Sequence, residues 1–180
     1  MKVFLALLAS LLGLIAIAAV LFLGYGREKS WERVAGPPDS RRIDLLSVRR
    51  SESTNDAMAG TAGLRSDIDI VLPAFGQSPA VLLQQIARQV KAVDPLAERI
   101  DDGDDPFYLH YVTYSPHMRF PDLVSFQAMS LKDGRTGLIA YARAQLGRFD
   151  FGANRKRLER YLADIDATAG NRVLAAPALN

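Results

Sequence analysis

The sequence predicts an α+β fold in which an N-terminal transmembrane helix precedes a two-layer sandwich, a mainly antiparallel sheet with two helices on one face. Three observations predict it. Val3 to Leu23 contains no charged residue. From Leu138 to Leu146 the side chains alternate, with Leu138, Ala140, Ala142, Ala144 and Leu146 on one side and Ile139, Tyr141, Arg143 and Gln145 on the other, which is the period of a strand. Leu158, Tyr161, Leu162 and Ile165 then recur at the spacing of one helix face.

At about 1.5 Å per residue the uncharged run is about 31 Å long, the thickness of a bilayer core. Residues 1–26 are therefore expected to be a membrane anchor, with residues 3–23 in the lipid bilayer. A cleaved signal peptide is the competing reading, because Lys2 is a minimal basic start and Ala16 to Ala18 offers small residues for cleavage. The apolar run continues past that site through Val20, Leu21, Phe22 and Leu23, which favours an uncleaved anchor. Arg27, Lys29, Arg33, Arg41 and Arg42 all follow the span, so the positive-inside rule alone would keep the domain in the cytoplasm.

Residues 27–52 carry Pro37, Pro38, Ser40 and two arginine pairs, and read as a basic tether that solubilises or weakly attracts anionic headgroups. Trp31 is placed to rest at the membrane interface. Residues 53–168 remain for one domain, and 169–180 for a disordered C-terminal tail.

Within the domain, Ile68 to Leu72 reads as a short strand limited by Pro73. Ser78 and Pro79 open a helix whose buried stripe is Leu82, Leu83, Ile86, Val90 and Val93, and Asp94 with Pro95 ends it. A brief strand at Ala97 to Ile100 leads to the acidic turn Asp101 to Asp105. Phe107 to Tyr114, rich in aromatic and branched residues, reads as a central strand. Leu123 to Leu131 alternates again, and Lys132 to Arg135 turns into the final strand. The alanine side of that strand carries little bulk, so both helices are expected there. Tyr141, Arg143 and Gln145 are left on the opposite face, near Ser125 and Gln127, as an open surface for a ligand or partner.

The corner before the last helix is the second candidate. Gly147 and Gly152 permit its turn, Asp150 or Asn154 is placed to cap the helix, and Phe151 to staple it. Arg155, Lys156 and Arg157 crowd a first turn where the helix dipole favours anions by roughly 0.3–1 kcal/mol. Pairing with Asp150, Glu159 and Asp164 is one compensation. An anion site made of helix amides, Arg148, Arg155 and Arg143 is the other. Candidate ligand residues are thus Tyr141, Arg143 and Gln145 on the strand and Arg148, Asn154, Arg155 and Arg157 at the corner. Asp122, Gly147, Asp150 and Gly152 are assigned structural roles.

Composition excludes several classes. Twenty-two Lys+Arg against twenty Asp+Glu leave a net charge of +2, too balanced for a nucleic-acid binder. Zero cysteines exclude disulfides and thiolate metal sites. The run DDGDD lacks the alternating acids of a calcium loop, and His110 and His117 lack a partner motif, so no metal and no cofactor are expected. No nucleophile elbow, phosphate-binding loop or dinucleotide glycine pattern occurs either.

The closing run ARAQLGRFDFGANRKRLERYL, with Gly152, Asn154, Arg155, Arg157 and Glu159 in this spacing, resembles a bacterial family known as domain of unknown function (DUF) 1499. MRFPDLVSF, Met118 to Phe126, is similar to the family's aromatic and aspartate turn, and TNDAMA, Thr54 to Ala59, to its opening segment. Family members often carry cysteines near that opening, where this chain has Gly60 and Arg65. The resemblance implies an envelope protein at the inner (cytoplasmic) membrane, single-pass, with its soluble domain on the periplasmic side. It implies no activity. The expectation is a noncatalytic module that binds an anionic ligand, a lipid headgroup or an envelope protein. A hydrolase using Asp122, His117 or Asp150 with Arg143 is one alternative. A structural or assembly factor acting through the span is another, with Ala9, Gly13 and Ile17 offering only a weak helix-packing step.

Overall fold

A computed structural model describes residues 1–165, so the expected tail at 169–180 lies outside the described residues. Helix α1, Lys2–Tyr25, is apolar around its whole circumference and buries none of its residues against the rest of the chain. By length and composition it is a helix able to cross a membrane, compatible with an anchor or with a signal sequence. Gly26, at φ 98°, breaks it, and α2, Arg27–Ala35, follows where a tether was expected.

The sheet has six strands: β1, Asp56–Thr61; β2, Ile70–Leu72; β3, Glu98–Arg99; β4, Tyr108–Tyr114; β5, Pro121–Ser130; and β6, Thr136–Ala144. Their order is β2-β1-β6-β5-β4-β3, antiparallel throughout except for the β1–β2 pair. Strand β1 was not expected as a strand, because its small residues, Ala57, Ala59 and Gly60, carry little β preference of their own. Pairing with β6 makes it one: Ala57 lies opposite Ala142 and Ala59 opposite Ala140.

Helices α3, Pro79–Val93, and α4, Ala153–Leu162, cover the alanine face, as the lack of bulk there predicts. Leu82, Ile86, Leu158 and Tyr161 are fully buried in one cluster with Ala57, Ala59, Ala140 and Ala142 and with Val124 and Phe126 of the neighbouring strand β5, all on the same sheet face. Each such side chain contributes roughly 1.5–3 kcal/mol. Pro79 sits at the first position of α3, after Ser78, and Asp94 closes the helix.

The opposite face is not open. Residues 36–50 run across it as a strap. Leu45, fully buried, packs on Met58, Ile139 and Tyr141, with Ile43 and Val48 beside it. The strap starts at the β6 end, where the Gln145 amide donates to the carbonyls of Gly36 and Pro37 at 3.1 Å. It crosses to the other end, where Arg42 pairs with Asp105 at 2.7 Å and the Leu45 amide donates to Gln127 at 2.7 Å. It then returns to Arg50, which pairs with Asp56 and Asp69 at 2.8 Å. The proline and arginine content suggested a solvated linker, but alternating Ile43 and Leu45 supply an apolar edge and the sheet supplies polar partners.

Candidate functional site

Tyr141 is buried beneath the strap, where its hydroxyl donates to Asp56 at 2.8 Å and accepts from the Ser51 amide at 3.3 Å. Burial and the Asp56 carboxylate push its pKa up to about 12. Arg143 stands 3.5 Å from Asp39, whose carboxyl is held at about 2, chiefly by its bond to Arg41. Tyr141, Arg143 and Gln145 share one face as expected, but the expected open surface is corrected: the chain's own strap covers it.

The corner is also self-satisfied. Asp150 accepts from the Gly152 and Asn154 amides, each at 2.9 Å, and so supplies the anion that the start of α4 attracts. The helix amides therefore form no vacant anion site, which corrects that expectation. Gly152 has φ 75°, the left-handed turn its place before the helix requires. Phe151 is 95% exposed and staples nothing, correcting the staple expectation; its aromatic side chain points away from the core that a staple would need. Asn154 is fully buried and donates to the Asn55 carbonyl at 3.0 Å. Arg155 is exposed and pairs with Glu159 at 3.0 Å, the intrahelical compensation the charge pattern suggested. Arg148 is exposed at the tip of the corner, beside Gly147 at φ 86°.

Arg157 turns inward. It donates to Asp122 at 2.7 Å and to the Asn154 side chain, with both members of the ion pair almost wholly buried. Burial raises the Asp122 pKa and Arg157 opposes it, burial being the larger influence. Asp122 lies opposite Ala144 on the helix face of the sheet, whereas Arg143 lies on the strap face. His117 is exposed, and its carbonyl accepts from Arg27 at 2.6 Å. The set Asp122, His117, Asp150 and Arg143 is therefore dispersed rather than gathered into one acid-base site.

Two clefts flank the buried Asp122–Arg157 pair. One, of about 260 Å³, is apolar and lined by Phe120, Leu146, Phe149, Phe151 and the pair's Asp122. The other, of about 420 Å³, is lined by Tyr114, Asp94, Lys156, Arg157 and Arg160. Ala153 borders both. In the second cleft the Asp94 carboxylate is taken up by Thr113 at 2.8 Å, Arg160 at 3.3 Å and the Tyr161 hydroxyl. Lys156 makes no ion pair among the described residues. A third cleft, of about 500 Å³, lies on the other side of α4 and sets Arg50 and Arg155 against Glu52, Asp56, Asp69 and Asp150. Two cations against four carboxylates make it a poor host for an anion. Among the described residues no group of three or more His, Cys, Asp or Glu is placed to hold a metal ion.

A family model described as "Protein of unknown function (DUF1499)" matches residues 53–165, the span from just before β1 to the end of α4. The chain belongs to the DUF1499 family. No curated protein and no solved structure matches it. The DUF1499 segment supplies the whole sheet and both packed helices, and the strap that covers its second face comes from residues before it.

Lys156, Arg160, Phe120 and Phe149 were not singled out from the sequence. Lys156 and Arg160 are four apart on α4 and so share a face, a signal present in the spacing but hidden inside a charge run. Phe120 and Phe149 line one cleft only because β5 and β6 pair, which no local pattern reveals.

Proposed function

We propose that this is a single-pass membrane-anchored domain that binds an anionic amphiphile without catalysis, its apolar part in the cleft of Phe120, Leu146 and Phe149 and its anionic group beside Lys156 and Arg160. The observation that carries the reading is the meeting of one apolar and one basic cleft at the buried Asp122–Arg157 pair, with Ala153 common to both. An amphiphile needs two such environments in contact. Asp122 and Arg157 neutralise one another, so they give a rigid wall between the clefts, while Lys156 remains to attract charge. The noncatalytic part of the reading is supported by the engagement of the chain's acid-base groups. His110 is buried with both ring nitrogens bonded, to Ser125 and to the Asp39 carbonyl, each at 2.7 Å, and Asp94 and Asp122 are bonded to their neighbours.

The test is titration of the full chain, in detergent, with a short-chain phosphatidylglycerol below its micelle concentration. Saturable one-to-one binding is expected, weakened about tenfold or more when Lys156→Glu and Arg160→Glu are combined, a loss of about 1.4 kcal/mol or more. A zwitterionic analogue of the same chain length should bind less tightly. Equal affinity of the double variant, or no saturable binding by the unsubstituted chain, would contradict the site.

A further inference from the structure

The corner carries two aromatic side chains that the folded core does not use. Phe149 is 70% and Phe151 95% exposed. Phe151 has φ 54°, in the left-handed region that a residue with a bulky side chain resists. Arg119, in the facing loop beside Phe120, has φ 59°. Among the described residues these are the only non-glycine residues at positive φ, and both belong to the loops that border one apolar cleft. Asp150 ties the backbone on either side of Phe151 through Gly152 and Asn154, so the ring is presented on a fixed turn. A phenylalanine held against its backbone preference, pointing at solvent and contributing nothing to packing, is an observation that calls for a partner outside the chain.

An aromatic relay fixes where that partner lies. Phe22, within the apolar helix α1, meets Trp31 edge-on at 5.3 Å, and Trp31 in turn lies 4.6 Å from Phe120 with the two rings tilted by 34°. The Trp31 ring nitrogen donates to the Met118 carbonyl at 2.6 Å, and Arg27 donates to the His117 carbonyl at 2.6 Å. The loop of Met118 and Phe120 is thus clamped beside the last turns of α1, and Phe149 and Phe151 share its cleft. Arg148 directly precedes Phe149, and the Lys156 amide donates to the carbonyl of Gly152, the residue after Phe151, at 3.1 Å; both side chains are exposed.

We propose that this end of the domain docks on the bilayer that α1 crosses, with Phe149 and Phe151 entering the interfacial layer and Arg148 and Lys156 facing lipid phosphates. The partner is a lipid surface with anionic headgroups. The inference rests on reading α1 as a span; it shares Phe149 and Lys156 with the amphiphile clefts but needs no bound amphiphile. A protein already tethered by its span meets the surface at high effective concentration, so two aromatic rings and a few cations suffice to hold it there.

The chain contains no cysteine, so single substitutions label cleanly. The full chain would be reconstituted in phosphatidylglycerol-containing nanodiscs as Phe149→Cys, Phe151→Cys and, at the far end, Asp133→Cys, each carrying an NBD fluorophore. Blue-shifted emission and roughly threefold greater quenching by doxyl-labelled lipid at positions 149 and 151 than at 133 are expected of groups at interfacial depth. Because 149 and 151 are read separately, a defect in one variant leaves the other to decide. Water-like emission and no excess quenching at both, in a chain that resists carbonate extraction from vesicles, would overturn the docking while leaving the span intact. Release of the chain by carbonate would overturn both.

Discussion

The two ends of the sheet solve the same turning problem differently. At the end away from α1, positive φ falls on glycines: Gly63 at 86°, Gly103 at 79° and Gly134 at 81°. Those turns are polar, with Asp101 bonded to Arg99 and Asp133 to Arg135, and Phe107 is a single half-exposed aromatic among them. At the end beside α1, glycines also turn the chain, but Arg119 and Phe151 hold positive φ too, and Met118, Phe120, Phe149 and Phe151 are exposed. One end is relaxed and wet, and the other is strained and apolar. Relaxed turns need only close the sheet, whereas strain kept at exposed aromatics is the mark of a surface shaped for something other than folding.

Substitutions at matched places test that contrast. The largest effect is expected from Asp122→Ala, which leaves buried Arg157 without its counter-ion and costs about 3–5 kcal/mol in a denaturant or thermal melt. Asp133→Ala, removing the exposed pair with Arg135 at the other end, should leave the melting curve unchanged. Equal effects would erase the difference between a built end and a merely closed one. Next comes Leu45→Ala, at the point where the strap reaches the far end. Loss of a fully buried leucine should cost about 2–4 kcal/mol, and a neutral result would return residues 36–50 to the status of a linker.

The strap also predicts a pH dependence. Burial under it lowers the pKa of His110. The folded chain therefore takes up that proton only at lower pH than the unfolded chain, so this contribution is complete above the ordinary histidine value, about 6.5, and declines as pH falls below it. Asp122, whose pKa is raised, acts in the opposite sense, adding stability as pH falls towards the ordinary carboxylate value from above. The melting temperature should fall between pH 7 and pH 5, and His110→Gln should flatten that slope. The smallest effects concern the turns themselves. Phe151→Gly relieves about 1–2 kcal/mol of left-handed strain and returns about 0.4–1 kcal/mol of chain entropy, for a net stabilisation of about 0–1.6 kcal/mol. Gly134→Ala, in open space at φ 81°, should destabilise by about 1 kcal/mol. A destabilising Phe151→Gly would mean that the ring is part of the fold after all.

Much of the fold was legible because it is locally written. The α3 stripe, the alternation in β5 and β6 and the alanine face each follow from residues a few positions apart. Strand β1 was not, since Ala57 and Ala59 become strand residues only through β6. The strap was hidden for the same reason: Ile43 and Leu45 have no meaning until Met58 and Ile139 lie beneath them. At the site, the charge excess of α4 was visible, but its allocation was not. Arg157 goes inward to Asp122, Arg155 goes to Glu159, and Lys156 with Arg160 face a cleft, and these choices are set by helix phase relative to β1 and β6. Asp150, taken for a cap, turned out to be also the anion that the corner attracts.

The most direct test of a membrane-facing functional end is the depth profile of the whole domain. Paramagnetic broadening of backbone amide signals by doxyl-labelled lipid would be recorded on the full, unsubstituted chain in anionic nanodiscs. The account predicts a gradient, with broadening strongest at residues 118–120 and 148–152 and absent at 102–105 and 131–135. A uniform profile, or one strongest at the Gly134 turn, would contradict it.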